Sequence, residues 1–120
     1  MGNRNQKLLE GAAKASGVGP ILCYESARNC LRIGDRKSYS LWQPLTDDGD
    51  ALRLAVTLRI EITQSSVVDE NRWVSASRWG HAGREFPVVI NERVMDESER
   101  QSVTRWCIVR AAYEIGSVIP

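Results

Sequence analysis

Histidine is almost missing from this 120-residue chain: His81 stands alone, and phenylalanine too occurs once. A site built from several imidazoles is therefore excluded, and any Cys–His or Asp–His pair has only His81 to draw on. Cysteine is scarce and odd in number. Cys23, Cys30 and Cys107 are widely spaced with no C-x-x-C, which excludes a disulfide framework and a thiolate zinc site. Charge of one sign is not in excess. The 16 Lys and Arg against 15 Asp and Glu leave a formal net charge of +1, so no global field draws the chain to nucleic acid or to an anionic membrane. No apolar run approaches the roughly 20 residues needed to span a bilayer. No secretory apolar segment follows the polar start at Met1–Lys7. Repeats, low-complexity tracts and linkers are absent as well. The expectation is one domain over residues 1–120, in the bacterial cytoplasm, without membrane attachment, metal or cofactor.

What is present centres on Trp42–Val56. Pro44 fixes its own φ and drives Gln43 out of the helical region, so no helix enters from upstream. Asp47 then serves as an N-cap, and Asp50, at the third helical position, can bond back as in a capping box. Asp47, Asp48 and Asp50 sit at the positive end of the helix dipole. The structural reading of these acids is capping. The chemical one, an acidic hydrolase site with His81, lacks opposed carboxylates and the ligand pattern of a calcium loop. From Ala51 onward Leu52, Leu54, Ala55, Val56 and Leu58 form one broad apolar side, expected to lie on the core, with Arg53 and Thr57 opposite.

Pro44–Val56, PLTDDGDALRLAV, resembles the central motif of the phage ABA sandwich domain family, small tailed-phage and prophage proteins of unknown function. Lys7–Ala15 and Ile108–Gly116 are similar to that family's first and last helices. The resemblance implies a phage or prophage origin and a layered αβ fold. It implies no activity and brings no catalytic residues.

Along the rest of the chain, residues 4–16 read as a helix stopped by Gly17, and Ile21–Tyr24 with Cys30–Ile33 as a hairpin. Gly34–Lys37 is a turn, and Tyr39, Leu41 and Trp42 lead into Pro44. Arg36 and Lys37 beside Tyr39 have the composition of a phosphate-and-base contact, but the favoured reading is a solvated turn beside an aromatic that plugs the core. Three strands follow, over Arg59–Gln64, Arg72–Trp79 and Phe86–Ile90. Asn91–Met95 connects them to a last helix capped by Asp96, with Val103, Cys107, Ile108, Ala111 and Ile115 on its buried face and Gly116 at its end. The fold class is α+β, a largely antiparallel sheet of about five strands with three helices in the order α-β-β-α-β-β-β-α.

Two surfaces carry the functional expectations. Trp106, Val109 and Tyr113 form a second apolar strip on the last helix, which such a helix uses either between layers or as an oligomer contact. Arg72, Trp73, Arg78, Trp79 and Arg84 interleave guanidinium and indole, the composition of partner surfaces and of base-stacking surfaces. With no catalytic motif, the leading expectation is a non-enzymatic accessory protein that binds a host or phage protein or associates with itself. Nucleic-acid binding through the Arg/Trp region is the alternative.

Overall fold

The computed structural model describes residues 3–79 and 87–117. Three helices and six strands alternate: α1 (Asn3–Ser16), β1 (Ile21–Glu25), β2 (Cys30–Gly34), β3 (Tyr39–Trp42), α2 (Asp48–Leu58), β4 (Glu61–Gln64), β5 (Trp73–Arg78), β6 (Val88–Arg93), then a 3₁₀ turn (Glu97–Glu99) running into α3 (Arg100–Ser117). The strands form two separate antiparallel meanders, β1-β2-β3 and β4-β5-β6. The α+β class holds, but the single five-stranded sheet is corrected to two sheets of three, with β3 added before α2.

The additional strand has a local cause. Gly34, at φ +130°, turns the chain, and the Asp35 carboxylate accepts from the Lys37 and Ser38 amides at 2.9 and 2.8 Å. Tyr39–Trp42 is thereby folded back on β2, pairing Gly34 with Tyr39 and Leu31 with Trp42. Four residues before a proline carry too little alternation to announce a strand, yet the turn chemistry delivers them to one. Pro44 and α2 then interrupt pairing, so the second meander starts a sheet of its own.

Gly17 ends α1 in the left-handed region, φ +66°, as expected. At the end of α2 a non-glycine does the same. Arg59 takes φ 59°, and the Ile60 amide reaches back to the Ala55 carbonyl at 2.9 Å, closing a Schellman-type cap that buries Ile60. β4 therefore starts at Glu61 rather than at Arg59. β6 runs on through Arg93, past the expected end at Ile90, because β5 pairs with it along its whole length.

The helix that organises the molecule is α3, not α2. It packs against α1, α2, β5 and β6, while α1 also meets β1 and β2 of the first sheet. One core joins all of these, with Leu8, Leu9 and Ala12 of α1, Leu31, Trp42, Leu54, Val74, Ile108, Val109 and Ile115 among its members. Close approach of α1 and α3 depends on two glycines. A Cβ on Gly116 would lie 2.8 Å from the Gly11 carbonyl oxygen, and one on Gly11 would lie 2.5 Å from the Tyr113 ring. Gly116 is a packing residue within the last turn of α3, which continues to Ser117, rather than its terminator. Among the described residues, no helix is long and apolar enough to cross a membrane.

Candidate functional site

The acidic motif is spent on structure. The Asp47 side chain caps α2 by accepting from the Asp50 amide at 2.8 Å. Asp50 does not bond back to the cap amide as in a capping box. Its carboxylate accepts from the Gln43 amide at 2.8 Å and from Arg53 at 2.6 Å, clamping the end of β3 to the start of α2. Asp48 accepts from Arg105 of α3 at 2.5 Å, and the same guanidinium donates to the Leu45 carbonyl at 2.9 Å. All three carboxylates thus have partners: Asp47 and Asp50 fix the β3–α2 junction, and Asp48 ties it to α3. Among the described residues, no group of three or more His, Cys, Asp or Glu is placed to hold a metal ion. His81 lies outside the described residues.

The second apolar strip of α3 is partly covered from within. Val109 is fully buried, and Trp106 and Tyr113 are half-buried against the core. Tyr113 lies over Gly11 of α1, and the Arg4 guanidinium sits 5.9 Å from the Trp106 ring. α1 packs on that side of α3 and takes Val109 out of solvent, while Trp106 and Tyr113 keep part of their surface exposed. Of the two uses open to a helix with two apolar sides, Val109 takes the sandwiched one.

The Arg/Trp region is described in part, over Arg72–Trp79. Trp73 and Arg78 are five apart on β5 and so face opposite sides of the sheet. Arg78 donates to the Leu58 carbonyl at 3.4 Å, and Arg72 lies 3.9 Å from Glu97. Trp79, 63% exposed, follows the last residue of β5, roughly 20 Å along the chain from the half-buried Trp73 at the rise of an extended strand. Arg84 lies outside the described residues.

A groove that the sequence did not announce lies between α2, β4 and α3. It encloses about 300 Å³ and is lined by Ala51, Leu52, Ile62 and Ile108, with Gln64, Arg100, Thr104 and Arg105 along its polar side. Gln64 donates to Thr104 at 2.9 Å and accepts from Arg100 at 2.7 Å, so that side is held in place. Leu52, on α2, remains 60% exposed, and Ile62, on β4, 37%. Val56, one turn beyond Leu52, is 59% exposed. Among the described strands β4 pairs only with β5, and none of them lies along its other edge. An open strand edge beside exposed apolar side chains is the arrangement that accepts another chain.

The sequence did carry one signal for this surface. On a helix of 3.6 residues per turn, Ala51, Leu54, Ala55 and Leu58 occupy an arc of roughly 100°, whereas Leu52 and Val56 extend the apolar arc to about 200°. A single packing face covers only the first part, and only Ala51, Leu54, Ala55 and Leu58 are buried.

The cysteines have separate environments. Cys107 is buried against the Val74 carbonyl, and burial pushes its thiol up to about 12, which keeps it unreactive near neutral pH. Burial also raises Cys30, whereas Cys23 is exposed.

No family model matches the chain, and no curated protein or solved structure matches it.

Proposed function

We propose that this chain is a phage or prophage accessory protein that works by holding a protein partner rather than by catalysis. The phage origin, and with it a place in the host cytoplasm, rests on the resemblance of Pro44–Val56 to the phage ABA sandwich domain motif. The binding role rests on one observation: Leu52 and Ile62 remain exposed at a groove beside the outer edge of β4, with exposed Val56 one turn further along α2. An extended segment of the partner adds to β4 by main-chain hydrogen bonds and places an apolar side chain between Leu52 and Ile62. A second copy of the chain can use the same edge, which makes self-association the variant of this reading.

The test is capture from host lysate, with and without nuclease, using the tagged protein and its Leu52→Glu/Val56→Glu variant, together with the solution mass of each. The expected result is a protein retained by the wild type after nuclease, or a dimer mass, lost in the variant while the fold persists. Retention that is equal in both, or dependent on nucleic acid, would remove the groove from the function.

A further inference from the structure

The first sheet has a second face, opposite its core side, on which Cys30 is buried beneath charged side chains and Tyr39 is exposed. The β2 register places Leu31 and Ile33 on the core side, with Tyr24 and Trp42 beside Leu31. Cys30, Arg32 and Gly34 point the other way, paired with Glu25, with Cys23 and Leu41, and with Tyr39. This outer face holds one aromatic ring, Tyr39, which is 45% exposed. The Arg32 guanidinium lies 5.1 Å from the centre of that ring, a cation–π contact that braces one side of it. Glu25 accepts from Arg28 at 2.8 Å and from Arg32 at 3.3 Å, so a single carboxylate is shared by two guanidiniums. Arg32 Nε is buried without a hydrogen-bond partner.

The adjoining turn adds charge of the same sign. Arg36 and Lys37 are exposed, and neither forms an ion pair with a described residue. Asp35, the acid of that turn, is committed to the Lys37 and Ser38 amides. On this hairpin and its two turns four cations, Arg28, Arg32, Arg36 and Lys37, stand beside two acids, Glu25 and Asp35, a local excess of positive charge in a chain that is nearly neutral as a whole.

We propose that this face binds single-stranded nucleic acid, with Tyr39 stacking a base and Arg28, Arg36 and Lys37 contacting the flanking phosphates. A positive track beside a braced aromatic ring is what sequence-tolerant single-strand recognition uses, because every base presents a π-face. To stack on the exposed ring a base must be free of its duplex stack. The site is separate from the β4 groove, on a different sheet, and stands or falls independently of it.

The test is fluorescence anisotropy of labelled oligo-dT and oligo-U with the full chain at about 50 and 200 mM salt, a range over which phosphate contacts weaken measurably. Wild type is expected to bind single strands in preference to duplex. Tyr39→Ala weakens binding roughly 5- to 150-fold, the range for losing one stacked base, while Tyr39→Phe retains most of it. Arg36→Ala/Lys37→Ala, at two exposed turn residues, lowers the salt slope by about 1.4, or about 0.7 for each phosphate no longer neutralised. Absence of binding at low salt, equal binding to duplex, or a salt slope unchanged in the Arg36/Lys37 variant would overturn the proposal. So would undiminished binding by Tyr39→Ala.

Discussion

Two helices of this protein carry an apolar strip beyond the one that faces the core, and the two strips meet opposite fates. On α3, Val109 is buried and Trp106 and Tyr113 are half-buried, with Tyr113 packed against Gly11 of α1. On α2, Leu52 and Val56 face solvent. The periodicities look alike in the sequence. What separates them is a neighbour: α1 can approach α3 because Gly11 and Gly116 leave room, whereas no described helix or strand covers Leu52 and Val56 on the outer side of α2. Periodicity thus marks an apolar strip, and only the packing shows whether the rest of the molecule covers it.

Cavities test this contrast between the helices most strongly. Leu9→Ala, in the fully buried part of α1, is expected to lower unfolding free energy by about 2–5 kcal/mol, whereas Leu52→Ala stays within about 0.5 kcal/mol of wild type. Urea unfolding checks both, and similar losses for the two would erase the distinction. Next comes Gly116→Ala. Its Cβ would press on the backbone carbonyl of Gly11, which cannot rotate away, so overpacking costs about 1–3 kcal/mol. A thermal midpoint unchanged by this substitution would show that α1 and α3 are not in close contact. Asp47→Ala removes the cap of α2 and is expected to cost about 1 kcal/mol, as a structural role for the acidic motif requires.

The smallest effect separates the sheet ends from the helical core by pH. Arg28 holds the Glu25 carboxyl below its ordinary 4.5, Arg100 does the same for Glu97, and the Ser98 amide holds Asp96 below 3.8. A depressed folded-state value stabilises the fold above the ordinary value, and that contribution is lost as pH falls through the lower one. These contributions are therefore complete near neutrality and fade below about pH 4.5. Thermal midpoints of wild type and Glu25→Gln should converge as pH drops from about 6 to about 3. A gap that stays constant would exclude the Glu25 interactions as its source.

Much of the fold is legible in the sequence because its signals are local. Gly17 after an apolar-periodic run, Asp47 after Pro44, and alternation at Ile21–Tyr24 and Cys30–Ile33 each describe themselves within a few residues. The strand Tyr39–Trp42 is not legible, because it depends on the Asp35-centred turn rather than on its own pattern. Nor is the split into two sheets, since pairing partners are chosen by the whole chain. The candidate surfaces divide in the same way. Trp73 and Arg78 look like neighbours in sequence but point to opposite sides of β5. The groove at Leu52 and Ile62 joins residues from α2, β4 and α3, and only the folded chain brings them together.

If the exposed side of α2 and the edge of β4 form a surface for another chain, one pair of proteins decides it. Wild type and Leu52→Glu/Val56→Glu are compared by urea unfolding and by protein capture from host lysate after nuclease. Unfolding midpoints should coincide, and a captured partner, or a dimer, should disappear in the variant. A variant that loses stability would place Leu52 and Val56 in the core. A folded variant that keeps every partner would leave this surface without a binding role.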